Sequence, residues 1–174
     1  MSRTFHVVAH RGCRSLYPEN TLEGFRKAIK LGVDAIEFDV HPTRDGKLVI
    51  THDSTLERCS SGTGMVHDHT LEELKALDFG SWKGEQFRGT QIPTLEEVLD
   101  LILAESEPGL QILVELKEDD HRCTEQVLDE IRRRNIQNRT IVLSLYANQL
   151  KYVHSLEPEL RVQGFPMENY AVKE

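Results

Sequence analysis

An α/β fold built on a parallel sheet is what this sequence predicts, and three observations predict it. Six short runs recur along the chain, most of them nearly continuous in Ile, Val and Leu, as strands covered on both faces should be. Amphipathic stretches with recognisable starts and stops separate most of these runs. The length, 174 residues at 39% hydrophobic and 29% charged, suits one domain able to bury roughly 70% of its unfolded surface in a single core. Composition therefore argues against disorder, and length against two full-sized domains.

The strand candidates are 5–9, 35–40, 47–51, 111–116, 140–145 and 160–164. Between the first two, Asn20 with Glu23 three residues on reads as a capping box. Leu22, Phe25 and Ile29 follow on one helical face, and Gly32 is the stop. Thr70 with Glu73 opens a short helix carrying Leu71, Leu74 and Leu77. Thr94 with Glu97, behind Pro93, opens another whose stripe is Leu95, Val98, Leu99 and Ile102. A fourth helix is expected over 124–134 and a fifth over 148–156, ended by Pro158. Strand and helix alternate, which predicts parallel pairing with covering helices. The exception is 54–93, where Ser60-Ser-Gly-Thr-Gly64 is turn-rich and Phe79-Gly-Ser-Trp-Lys-Gly84 is aromatic and glycine-rich. This segment reads as an insertion lying over one end of the sheet.

Charge and cysteine usage narrow the class. Lys and Arg number 21 against 29 Asp and Glu, a net −8 that argues against a nucleic-acid partner. No run approaches the ~20 apolar residues of a membrane span, and the apolar stretch at the start is too short for a signal peptide. The three cysteines, Cys13, Cys59 and Cys123, are scattered and odd in number, which suits reduced thiols. A cytoplasmic protein is expected.

The informative polar residues all fall at the ends of predicted strands. His10-Arg11-Gly12 follows the first, Glu37-Phe-Asp39 lies in the second, His52-Asp53 ends the third and Glu115-Leu-Lys117 ends the fourth. Ligands of parallel α/β sheets and barrels bind at the carboxyl ends of the strands, so these clusters should converge on one site. Glu37 and Asp39, two apart, point to the same face of a strand. Alone, that pair fits a solvated strand end or ion pairs with Arg11 and Lys117 as readily as a cation site. Glu115 supplies a third oxygen donor, and three carboxylates suit Mg²⁺ or Ca²⁺ better than zinc. His10 and His52, each unremarkable singly, together could form an acid–base pair, because imidazole titrates near neutrality. Arg11 and Lys117 are the natural phosphate grips. His6, His41, His67, His69, His121 and His154 have no such placement. Glu19 and Asn20 stand behind the rest, since helix capping accounts for most of their signal.

His10-Arg11-Gly12, Pro18-Glu19-Asn20-Thr21, Glu37-Phe38-Asp39-Val40, His52-Asp53 and Glu115-Leu116-Lys117, in that order, resemble the glycerophosphodiester phosphodiesterases. The resemblance runs from about Val7 to Leu160. It implies a TIM-type β/α barrel with a small insertion after the third strand, where Ser60 to Arg88 sit. It implies a divalent cation, Mg²⁺ or Ca²⁺, on Glu37, Asp39 and Glu115. His10 and His52 would then be the acid–base pair, and Arg11 and Lys117 the phosphate grips. The implied substrate is a small glycerophosphodiester, split to glycerol 3-phosphate and an alcohol. Two departures stand out. The fifth strand ends Ser144-Leu145 where the family usually has Ser-Phe. A complete barrel of this kind has eight strands and about 250 residues, and the last two strands, with an aromatic residue facing the substrate, have no counterpart. The expectation is one barrel domain over residues 1–174, C-terminally truncated at about six of eight strands, with open edges inviting self-association. Two other readings compete: a phospholipase D-like enzyme acting on lysophospholipids, and a fragment that binds metal or phosphate without turnover.

Overall fold

The computed structural model describes residues 6–165. Six strands form one sheet: β1 (Val8–His10), β2 (Ala35–Pro42), β3 (Leu48–Ile50), β4 (Gln111–Leu116), β5 (Thr140–Ser144) and β6 (Arg161–Gly164). Five of them pair in parallel in the order β1-β2-β4-β5-β6, and β3 attaches to β2. The expected first strand begins three residues later than predicted, and Phe5 lies outside the described residues.

The third strand corrects the sequence reading. It runs antiparallel to β2, with Val40 opposite Ile50 and Pro42 opposite Leu48. The physical reason is reach. A parallel return needs a crossover of a dozen residues or more, and only residues 43–47 separate the two strands. Asp45-Gly46 closes this hairpin, with Gly46 at φ 72° and the Thr43 N–H donating to the Lys47 carbonyl at 2.8 Å. The Asp-Gly pair was visible in the sequence as a turn signal.

Helices α1 (Leu22–Lys30), α2 (Leu71–Lys75), α3 (Leu95–Glu105), α4 (His121–Arg133) and α5 (Ala147–Leu156) occupy the connections. Thr70 and Thr94, the predicted starts of α2 and α3, form capping boxes with Glu73 and Glu97. The first helix does not begin as predicted. Its cap is Thr21, whose Oγ1 accepts from the Gly24 N–H. Asn20 sits at φ 56°, in the left-handed region, while an N-cap needs extended backbone. Asn tolerates that conformation better than Thr.

The pleat of β2 and β4 divides the sheet into two faces. Ile36, Phe38, Val40, Ile112, Val114 and Leu116 are all buried on one side, in the core built under α1, α3 and α4. Phe25 of α1 meets Phe38 edge-on at 5.9 Å between ring centroids. Each such side chain contributes roughly 1.5–3 kcal/mol by leaving water. Residues of 54–93 build a smaller cluster around Leu56, Val66, Leu74, Phe79 and Ile92, closed by Val49 of β3. Strand β6 departs from the fully covered pattern: all four of its residues are exposed.

Candidate active site

The opposite face of the pleat carries the polar residues. Register places His10 beside Glu37 and Asp39 beside Glu115. In parallel pairing such neighbours project on the same side, so the three carboxylates are brought together by strand geometry alone. Glu37, Asp39 and Glu115 offer oxygens that all lie within 4.8 Å of one another, and all three residues are buried. Burial, and then the neighbouring Asp39 charge, pushes the Glu37 carboxyl up to about 8.

Two cations flank the carboxylates. Lys117 Nζ donates to Glu115 Oε1 at 2.9 Å and lies 3.4 Å from Asp39 Oδ1. Arg11 Nε lies 3.6 Å from Asp39 Oδ2, and Arg11 Nη1 donates to Glu19 Oε1 at 3.1 Å. The Arg11 backbone N–H donates to Glu37 Oε2 at 2.9 Å. Arg11 itself is at φ 59°. Its neighbour Gly12, at φ 77°, leaves no room for a side chain, since a Cβ there would stand 3.0 Å from the Gly24 backbone and from Phe25 Cδ1. The His-Arg-Gly turn is thereby pressed onto α1 with Arg11 turned toward β2.

His10 stands beside Glu37, and His52 lines the cleft that Glu115 and Lys117 also line. His10 Nε2 is 3.8 Å from Glu37 Oε2, and its side chain is about half exposed. Burial of the remainder, then the Arg11 and Arg14 charges, pulls His10 below the ordinary histidine value. His52 Nδ1 is 2.6 Å from Asp53 Oδ1. Two hydrogen bonds tie Asp53 to Arg58, which, with His52, hold its carboxyl well below the usual range. His52 comes to the site from the antiparallel hairpin: the Thr51 N–H donates to the Asp39 carbonyl at 3.1 Å. His52, Asp53, Glu115, Lys117 and Tyr146 line a cleft of about 540 Å³. A larger hollow of about 800 Å³, at the other end of the strands among Asp34, Leu110 and Arg161, contains none of the predicted site residues.

Sequence reasoning under-read several residues here. Asn20, set aside as a cap, donates from Nδ2 to Asp39 Oδ2 at 2.8 Å with both side chains buried. Its partner in the motif, Thr21, is the cap, so the Asn-Thr pair held the signal in the wrong order of importance. His41, read as having no site placement, is buried and bridges Glu118 to the His52 carbonyl. His67, also set aside, lines the cleft with Met65. Arg58 belongs to none of the strand-end motifs.

The model of the glycerophosphoryl diester phosphodiesterase family matches residues 10–166. The chain belongs to that family. It is 40% identical over 159 residues to a glycerophosphodiester phosphodiesterase of Caldanaerobacter subterraneus, covering 90% of this chain and 64% of that protein. A glycerophosphodiester phosphodiesterase of Bacillus altitudinis is 37% identical over 165 residues, with 93% of this chain and 66% of that protein covered. An Oleispira antarctica phosphodiesterase solved with the product sn-glycerol-3-phosphate superposes with a TM-score of 0.87 at 30% identity, over 97% of this chain and 68% of that one. The fold class is accordingly the TIM-type β/α barrel of the family. The chain spans about two thirds of the length of these relatives. Among the described residues no helix is long and apolar enough to cross a membrane.

Proposed function

We propose that the chain is a metal-dependent glycerophosphodiester phosphodiesterase, splitting a glycerophosphodiester with water into glycerol 3-phosphate and an alcohol. The observation that carries this reading is the buried triad Glu37–Asp39–Glu115 flanked by Arg11 and Lys117, with His10 beside Glu37 and His52 in the cleft that Glu115 lines.

The triad fits a hard divalent cation, Mg²⁺ or Ca²⁺. Glu37 Oε1 and Asp39 Oδ1 are buried oxygens without a hydrogen-bond partner, and only Asp39 Oδ1 has a cation near it, Lys117 Nζ at 3.4 Å; such crowding of carboxylates costs free energy unless more positive charge satisfies it. When bound, such a cation lowers the pKa of a coordinated hydroxyl and offsets charge on a phosphate oxygen. The remaining work falls to side chains of this chain. Arg11, whose Nε stands 3.6 Å from Asp39 Oδ2, brings a positive charge to one side of the carboxylates to attract a phosphate, and Lys117 adds a second on the other side. His10, drawn below the ordinary histidine value by burial and by its arginine neighbours, is disposed to accept a proton. His52 engages Asp53 through Nδ1, which leaves Nε2 for exchange with substrate. One imidazole removes the proton of the attacking hydroxyl or water, and the other protonates the departing alkoxide. The same pair serves both routes, through a cyclic phosphate of the glycerol hydroxyl or by direct attack of water. The protein of Oleispira that binds sn-glycerol-3-phosphate supports this choice of product.

The test is release of choline and glycerol 3-phosphate from glycerophosphocholine, with Mg²⁺ or Ca²⁺ and then with chelator, for wild type and His10→Ala. Expected are loss of turnover with chelator and a fall of about 10²–10⁴-fold for the variant. Turnover indifferent to both rejects the reading. A folded, cation-binding chain without turnover replaces it with a binding role.

A further inference from the structure

We propose that Arg58 is a positioning residue that holds His52 and Arg11 in fixed relation across the site; the proposal rests on the catalytic reading above. Arg58 lies in the 54–93 segment, in none of the strand-end motifs. Its guanidinium uses two adjacent edges. One edge grips Glu19, with Nη2 to Oε1 at 2.8 Å and Nη1 to Oε2 at 3.1 Å. The other grips Asp53, with Nε to Oδ2 at 2.6 Å and Nη2 to Oδ1 at 3.0 Å. Each carboxylate then passes the contact on. Glu19 Oε1 also accepts from Arg11, and Asp53 Oδ1 meets His52 Nδ1. The result is an unbroken series of alternating charge, Arg11–Glu19–Arg58–Asp53–His52, running from the first strand's turn to the end of the hairpin.

An exposed ion pair contributes little to stability, and the Arg58 side chain is 45% exposed. Its partner differs: the Glu19 side chain is 8% exposed, so its charge requires the guanidinium groups on both sides. Two forked contacts fix angle as well as distance. With both Asp53 oxygens held, His52 meets an acceptor whose orientation is set, and Nδ1 is the nitrogen that carries the proton. Lysine, a single point charge, cannot hold two carboxylates in one plane.

The experiment compares wild type, Arg58→Ala and Arg58→Lys in the full chain. Nitrogen-15 NMR of the histidine rings reads the tautomer of His52, assigned through His52→Ala. One Nδ1–H tautomer is expected in wild type and a mixture in both variants. Kinetics on glycerophosphocholine should show kcat down about 100-fold in Arg58→Ala with KM nearly unchanged, the signature of misplacement. Added guanidinium chloride should recover part of that loss, and Arg58→Lys should remain with the alanine variant. A wild-type His52 spectrum in Arg58→Ala overturns the proposal, as does a wild-type kcat. If wild type itself has no turnover, the catalytic reading fails on that result, and the NMR comparison alone decides the role of Arg58.

Discussion

Asn20 donates its side-chain amide to Asp39 Oδ2 at 2.8 Å, a hydrogen bond between two buried residues, one in the turn before α1 and one on β2. Asp39 thereby has one oxygen oriented by a neutral donor while the other faces Lys117. Outer partners of this kind typically change metal affinity by 10–100-fold when removed. Asn20→Ala should therefore weaken Mg²⁺ or Ca²⁺ binding by about tenfold or more, measured by titration calorimetry. Unchanged affinity in a folded Asn20→Ala protein removes Asn20 from the site.

Thr21 provides the contrast. Its Oγ1 caps α1 and donates to the Pro18 carbonyl at 2.7 Å. Thr21→Ala should lower unfolding free energy by about 1 kcal/mol and leave cation affinity unaffected. A denaturation midpoint equal to that of wild type contradicts the assignment of the cap.

Glu37 predicts a pH dependence of stability whose sign can be worked out. Its folded value of about 8 stands above the ordinary 4.5, so between those limits the folded state binds more protons than the unfolded state. Stability of the cation-free protein attributable to Glu37 is present below about pH 4.5 and is lost as pH rises toward 8. His10, shifted down, contributes in the opposite sense around its ordinary value of 6.5. The informative quantity is therefore the difference between wild type and Glu37→Gln in urea midpoints at pH 5 and pH 8.5. The advantage of wild type should shrink as pH rises; a growing advantage refutes the burial argument. Cation binding should strengthen over the same interval, because Glu37 must release its proton to serve as a ligand.

Asp39→Asn and Glu115→Gln should each reduce cation affinity by more than the tenfold expected of Asn20→Ala, since each removes a charged oxygen donor rather than its support. Calorimetry under one set of conditions ranks the three. Should Asn20→Ala prove the most severe, the triad is not the cation site.

Core truncation supplies a control independent of function. Phe38 is fully buried and packs against Phe25 on the face of β2 opposite the carboxylates. Phe38→Ala should cost about 3–5 kcal/mol of stability, read from urea denaturation. A loss below 1 kcal/mol is incompatible with the packing described.

The sequence by itself determined which segments become strands and, for β2 and β4, which face is buried in the apolar core. Its period and its apolar runs are local properties, and Glu37 and Asp39 had to share a face once residue 38 belonged to the core. It determined the capping boxes at Thr70 and Thr94 for the same reason, because donor and acceptor lie three residues apart. Tertiary structure decided what depends on distant partners. The short 43–47 connection turned the third strand antiparallel, so His52 enters from a hairpin. The left-handed backbone at Asn20 moved the cap to Thr21 and released the Asn20 amide for Asp39. Arg58 reaches Glu19 across 39 residues of chain, and no periodicity encodes such a contact. Short-range order follows from neighbours along the chain, whereas charge pairing across the site exists only after the sheet has set its register.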